Sequence, residues 1–306
     1  MAIQKEFWLP SVQENLFKGI EIIKSVASDD SAYVQNKTVH IPNAGSAPNV
    51  TRANSTYPVL ITERTDATVE YNLTNFEIGP VRLGWADALQ LSYDKVSSIT
   101  TDFMGNMNEA LKNYMLSQWL GTSVEVVPTT GSAITTNWLG GSSTGSPKAI
   151  KGVDVRSAAS ILDKQKFPSS DRYLLLDYAM FWQLIGDVSY NDSRIGQVAG
   201  FPATIDNVYG FTVIQLPYVA AFNANADAVV HVPSTADGSF TFVAASRPVG
   251  LAFHKSAVGW AMTDVNMIIQ NESPEHFGDI MSATVFAGGK YRRTANTGIV
   301  AVAARA

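Results

Sequence analysis

The sequence predicts an α+β fold organised around one long helix. Between Trp85 and Trp119, apolar residues recur at Leu89, Tyr93, Val96, Ile99, Phe103, Met107, Leu111 and Tyr114, and the next step falls at Gln118/Trp119. Steps of three and four place one apolar stripe along a helix. Asp94, Asp102, Asn106, Glu109 and Lys112 fill its other faces. On either side of this stretch apolar residues alternate as they do in half-buried strands, and from about Ile150 helical and strand patterns mix.

A helix over 86–119 would hold roughly 34 residues and span about 50 Å. No run of 18 apolar residues occurs, so this helix does not span a membrane. Its repeat is too short and interrupted for a coiled coil. It reads as a spine along which other elements pack. Gly105-Asn106 is its soft point, because an interior glycine costs roughly 0.8–1 kcal/mol relative to alanine and kinks locate at such residues.

In chain order, residues 1–30 read as an arm ending in a helix. Val12, Leu16, Ile20, Ile23 and Val26 fall at helical spacing, with Ser11 as its cap. Val39/Ile41, Val59/Ile61 and Val69/Tyr71/Leu73 then alternate, separated by the turn-rich segment from Pro42 to Asn49. These features predict a long antiparallel hairpin with a flexible tip. It has too few apolar residues for a core of its own, so it is expected to extend over another molecule.

After the spine helix, Val124–Val127 reads as a strand and Gly140–Pro147 as a loop. Asp154 is a candidate cap for a helix carrying Val155, Ala158, Ala159 and Leu162 and stopped by Pro168. Tyr173–Leu176 reads as a strand, Ala179–Ile185 as a helix and residues 186–207 as a polar loop. Strands are then expected at Phe211–Leu216, Ala228–Val232, Phe240–Ala244 and Gly250–Phe253. The closing strands lie around Val265/Met267/Ile269 and Met281/Ala283/Val285/Ala287, with a continuously apolar, buried strand at Gly298–Ala304.

The totals narrow the class. A chain of 306 residues, 46% hydrophobic and 16% charged, supports a sizeable core and two subdomains. A net charge of −5 and a pI near 5.4 argue against broad electrostatic adhesion to nucleic acid. The absence of cysteine excludes disulfides and thiolate metal sites. The start, MAIQKEFWLPS, lacks a basic segment followed by an apolar core, so folding in a cytoplasm is expected.

Candidate chemistry is thin. Gly141-Ser142-Ser143-Thr144-Gly145 matches G-x-S-x-G, but that motif needs a strand before it and a helix after it, and here it sits in a polar loop. His40, His231, His254 and His276 are scattered without metal-ligand spacing. Asp29-Asp30 reads as a solvated cap. Lys290-Tyr291-Arg292-Arg293 is the dense basic cluster, read as a solvated or intersubunit face rather than a phosphate site. No catalytic, cofactor-binding or metal-ligating residue is assigned, and the protein is not expected to be an enzyme.

Several stretches resemble the major capsid proteins of tailed bacteriophages, which have the Hong Kong 97-type fold. They are Glu6-Phe7-Trp8-Leu9-Pro10, Val39-His40-Ile41-Pro42-Asn43-Ala44-Gly45, Leu91-Ser92-Tyr93-Asp94-Lys95, and Leu251-Ala252-Phe253-His254-Lys255-Ser256-Ala257-Val258-Gly259. The order of arm, hairpin, spine helix, α/β insertion and closing strands resembles that family over essentially the whole chain.

The resemblance implies an N-terminal arm (1–30), an extended loop (31–80), a peripheral domain (81–149 and 256–306, with spine helix 86–119) and an axial domain (150–255). It implies a homo-oligomer of hexamers and pentamers in an icosahedral shell, assembled in the bacterial host cytoplasm and located in the virion. No cofactor and no membrane are involved. Packaged double-stranded DNA would be enclosed without specific binding, beside a portal protein and decoration proteins. There is no long charged N-terminal segment, which implies a separate scaffolding protein. The family's lysine–asparagine cross-link does not carry over, because Lys37 lies near the base of the predicted loop. The family's shells expand after assembly, which implies a bent spine helix that straightens. The competing expectations are an encapsulin-type compartment and, from another class, a hydrolase using Ser143 with one of the histidines.

Overall fold

The computed structural model describes residues 21–45, 50–55, 57–58, 61, 63–84, 95–120, 124–134, 147–187, 204–223, 246–273, 275–294 and 297–304. The arm before Glu21, residues 85–94 and the strands expected at 228–232 and 240–244 lie outside these residues, as does the G-x-S-x-G segment.

The spine is α2 (Lys95–Trp119), helical without a break through Gly105 and Asn106. Phe103, Met107, Leu111 and Trp119 of the predicted stripe are buried and Tyr114 is half-buried, while Met115, beside it and outside that stripe, is buried too. They join Met281, Ala283, Val285 and Ala287, the inward residues of β14 (Gly278–Tyr291), in one apolar cluster. Leu111, Met115 and Trp119 are wholly inaccessible, and burying each such side chain contributes about 1.5–3 kcal/mol.

β14 is the centre of a five-stranded sheet. β12 (Val258–Met262), β13 (Asn266–Ser273) and β5 (Thr74–Gly84) all pair with it antiparallel, and β1 (Ser28–Asp29) runs parallel to β12. β5 was not expected from its sequence. Gly79-Pro80 interrupts its alternation, and the register against β14 shifts between Ile78 and Val81. Proline cannot donate to a ladder, so a strand tolerates it at such an irregularity.

The seven-stranded sheet takes β6 (Glu125–Pro128), β15 (Ile299–Ala303), β11 (Ser246–His254), β7 (Arg172–Asp177), β9 (Phe211–Leu216) and β8 (Thr204–Val208) in that order, with β10 (Ala220–Asn223) on β11. β8 shows that the expected 186–207 loop already turns into a strand at Thr204. α3 (Gly152–Lys164) and α4 (Tyr178–Asp187) cover one face through Val155, Leu162, Phe181 and Leu184. The other face shares the α2 cluster through Leu251, Phe253, Ile299 and Ala301. β11 and β15 are buried along their whole length, and for β15 this is why it reads as a continuous apolar run.

Asp154 caps α3 from inside its first turn rather than from before it. Its carboxylate accepts the Lys151 N–H at 2.9 Å and the Thr130 N–H and hydroxyl at 3.1 and 2.7 Å. α3 ends before Pro168, with Lys166 at φ 63° and the Phe167 N–H returning to the Leu162 carbonyl at 3.1 Å. The arm helix survives as α1 (Glu21–Val26), which buries Ile23 and Val26 completely.

A methyl group built at Gly105 meets no atom within 4 Å. Gly105→Ala is therefore expected to raise unfolding stability by about 0.8–1 kcal/mol, the helix-propensity difference. Chemical denaturation checks this, and an unchanged or lowered midpoint would show that Gly105 is not an ordinary helical position.

Candidate functional site

β3 (Thr38–Asn43) and β4 (Ala67–Asn72) pair antiparallel as a hairpin, with β2 (Val34–Gln35) beside β3, in a three-stranded sheet. Asn36 and Lys37, at φ 49° and 65°, make the two-residue turn between β2 and β3, and paired positive angles fit the twist of such a hairpin. The second expected alternation, Val59/Ile61, is not seen as a strand: Val59 lies outside the described residues, and Ile61 lies outside any strand and is 91% exposed. Val50 and Tyr57 in the same connection are 97% and 76% exposed. Near the strand ends, Asp66 accepts the Gly45 N–H at 2.8 Å and pairs with Arg64 at 2.7 Å. The Arg64 bond and then the Gly45 N–H hold its carboxyl below the usual range.

The hairpin's base is fastened to the body by a small apolar cluster of Val39, Tyr71, Leu73 and Ala261 and by polar clamps. Lys290 Nζ donates to the Glu70 carbonyl at 2.9 Å, and Asn43 Nδ2 donates to the Arg292 carbonyl at 2.9 Å. Lys37 Nζ lies 4.3 Å from the centre of the Phe286 ring, within cation–π reach.

Between these clamps sits a buried charge. Asp30 is completely inaccessible, which corrects its reading as a solvated cap. The Tyr71 hydroxyl donates to Oδ2 at 3.2 Å, and Arg292 Nη2 lies 3.2 Å from Oδ1. The Asp30 N–H donates to the Trp260 carbonyl at 2.8 Å. Burial raises the Asp30 pKa; the Arg292 charge and the Tyr71 bond oppose it. Burial and the Asp30 charge push the Tyr71 phenol far above its ordinary value. Gly259 must be glycine, because a Cβ there would overlap Asp30 Oδ2. Asp29, by contrast, is an exposed turn cap that accepts the Ser31 N–H at 2.8 Å.

The basic cluster is likewise spent within the subunit rather than held as a free face. Lys290 and Arg292 clamp the hairpin, and the Arg293 guanidinium lies 5.1 Å from the Phe167 ring centre. The histidines do not converge. His40 pairs with Glu70 across the hairpin at 3.0 Å, His276 is exposed in the β13–β14 turn, and His231 lies outside the described residues. His254 Nδ1 lies 2.9 Å from Ser256 Oγ but also accepts the Ser256 N–H at 3.1 Å, which makes it a turn cap. Ser143 lies outside the described residues. Among those residues no helix is long and apolar enough to cross a membrane.

No protein-family profile and no curated protein matches the sequence. Solved structures do match. The capsid of Ralstonia phage GP4 superposes with a TM-score of 0.61 at 10% identity, over 92% of this chain and 86% of that one. The chain has the Hong Kong 97-type capsid fold. A structure from Mycobacterium phage Che8 matches this capsid fold at TM-score 0.56 and 17% identity, over 90% and 89% of the two chains. A virus-like particle from Pyrococcus furiosus matches it at 0.53 and 10%, over 97% and 98%. With this fold the expected α+β class stands, and the spine helix stands over Lys95–Trp119.

The buried pair predicts an asymmetry. Asp30 is sealed in, while the Arg292 side chain keeps 27% of its accessibility. Removing the partner of a buried charge costs about 3–5 kcal/mol. Arg292→Met is therefore expected to lower stability by about that much. Asp30→Asn is expected to cost less, because its amide oxygen still accepts from Tyr71 and Arg292 reaches water. Urea unfolding of both variants ranks them; a costlier Asp30→Asn would refute the assignment.

Proposed function

We propose that this protein is the major capsid protein of a tailed bacteriophage, a structural and non-enzymatic subunit that self-assembles into the icosahedral shell around the double-stranded DNA genome. The observation that carries the reading is a capsid fold spanning about nine-tenths of the chain, matched to phage capsids over similar shares of theirs. The hairpin supports it: its base is clamped to the body, while Val50, Tyr57 and Ile61 beyond it have no core to enter. Net charge of −5 suits a container from which DNA must leave, since a surface that bound phosphates tightly would oppose ejection.

On this reading residues 1–30 are the arm, 31–80 the extended loop, 81–149 with 256–306 the peripheral domain, and 150–255 the axial domain. β6 and β15, which that division gives to the peripheral part, hydrogen-bond into the seven-stranded sheet. The boundary would then run through that sheet. Hexamers and pentamers, a separate scaffolding protein, a portal protein, decoration proteins, assembly in the host cytoplasm and a final place in the virion belong to the same proposal.

An encapsulin-type compartment is the second reading, favoured by the match to the Pyrococcus furiosus virus-like particle over nearly the full length of both chains. Genomic context separates the two: adjacent terminase or portal genes indicate the phage, and an enzyme-cargo gene indicates the compartment.

Purified protein, alone or co-expressed with its scaffold, is expected to scatter light as pentamers, hexamers or larger particles and to show shells by negative-stain microscopy. A monodisperse monomer at high concentration in both cases would overturn the proposal. Replacing residues 46–61 by a short Gly-Ser link, with Asn43 and Asp66 kept, should block particles. Subunit stability should change by no more than about 1 kcal/mol, because loop closure depends only weakly on length. Insoluble protein from that variant would place the segment in the core instead.

A further inference from the structure

His254 stands where the chain passes from one sheet to the other. β11 ends on it, a 3-10 turn follows at Lys255–Ala257, and β12 begins at Val258. Its ring is buried, 5.4 Å from the Phe167 ring centre to centre. Nδ1 accepts the Ser256 N–H at 3.1 Å and lies 2.9 Å from the Ser256 hydroxyl, so the imidazole closes the turn on itself. A ring nitrogen that accepts carries no proton, which leaves Nε2 as the N–H donor. The Ser170 backbone is the hydrogen-bonding group beside it.

The surroundings are crowded and charged. Asp171, just before β7, Arg172, its first residue, and Arg293, beyond the end of β14, act on the ring through their charges. Arg172 Nη2 is tied to Asp163 at 2.6 Å, and the Arg293 guanidinium shares the Phe167 ring with His254. The His254 N–H donates to the Gly298 carbonyl at 3.1 Å. Gly298 has φ +89°, and a Cβ there would run into Phe167 and Ala257. The same turn receives bonds from both sides: Lys255 N–H to the Asp171 carbonyl at 2.9 Å, and Arg292 N–H to the Ala257 carbonyl at 2.8 Å.

We propose that His254 is an acid-sensitive clasp at the junction of the two sheets, closed when its ring is neutral and released when a proton occupies Nδ1. The proton consumes the lone pair that holds the Ser256 N–H and sets a second donor against it. It also adds a third cation beside Arg172 and Arg293. Burial pushes the imidazole pKa below its ordinary value and the two arginines add to that, while Asp171 and the Ser170 bond pull the other way. A lowered pKa means that the unfolded chain takes up the proton first. The clasp's contribution is therefore fully present above the free-imidazole pKa of about 6.5 and is lost as pH falls below it. This inference concerns the single subunit and does not rest on the shell reading.

Hydrogen–deuterium exchange with mass spectrometry on the full chain, at pH 7.5 and 5.5 and corrected for intrinsic exchange rates, tests it. Protection in a peptide covering 251–262 should fall at the lower pH, by at most about tenfold, the linkage ceiling one unit below a pKa of 6.5. A peptide covering 279–289 should keep its protection. His254→Asn retains a capping acceptor that does not titrate, and it should abolish the acid loss. Equal corrected protection at both pH values in the wild type overturns the proposal. So does a loss shared by 279–289, or an undiminished loss in His254→Asn. Should that variant not fold, the wild-type comparison of the two peptides decides alone.

Discussion

Met107, Leu111, Met115 and Trp119 stand on one stripe of α2 and close on the inward residues of β14, and both large sheets meet in the apolar cluster built on that contact. Trp119 is its pivot. Its ring is wholly buried, its Nε1 donates to the Gly259 carbonyl at 3.0 Å, and it packs at a tilt of 59° against Phe253, 5.5 Å from centre to centre. Through those two neighbours one side chain touches β12 in the five-stranded sheet and β11 in the seven-stranded one. Gly289 lets it sit there, since a Cβ at that position would press on the indole nitrogen at 3.1 Å.

The two sheets consequently share a core rather than each owning one. Leu251, Phe253, Ile299 and Ala301 from the larger sheet lie in the same cluster as α2 and β14. β11 leads into β12 through a single turn, so a residue in that turn answers to both sheets at once. Interiors packed at this density transmit displacement instead of absorbing it. A polar group at the crossing is therefore better placed to bias their relationship than one on either outer face.

The elements legible in the sequence were those whose apolar period is uninterrupted. Phe103, Met107, Leu111 and Trp119 of the α2 stripe, Gly250–Phe253 in β11, the β15 run and the alternating residues of β14 are buried as their pattern predicts. β5 was hidden because Gly79 and Pro80 break its period where its register shifts. β12 was hidden because Val258–Met262 is short and almost wholly apolar, a pattern that carries no period. The candidate site was far less legible. Asp30 and Arg292 stand 262 positions apart (292 − 30 = 262), and each looks like an ordinary surface charge beside a like-charged neighbour. Only the topology, which lays β1 on β12 and Tyr71 beside them, turns those charges inward. Gly259 was the available signal: a glycine inside an otherwise bulky Val-Gly-Trp strand marks a close approach by some other group.

The chemistry of the hairpin follows from the same division between period and partner. Its base is tied down by bonds that reach backbone carbonyls, those of Glu70 and Arg292, and such contacts fix a position without filling a core. A three-stranded sheet as small as β2-β3-β4 needs an apolar face packed on something else to be stable, so its apolar base and clamps decide whether it keeps one direction relative to the body. Asp30 makes that direction specific. A sealed carboxylate tolerates neither the loss of Arg292 nor a slip of β4 that would carry the Tyr71 hydroxyl away, and a one-residue slip would turn Tyr71 to the opposite face. The buried charge fixes the ladder, and past it Val50, Tyr57 and Ile61 stand exposed, outside every apolar cluster of the described residues.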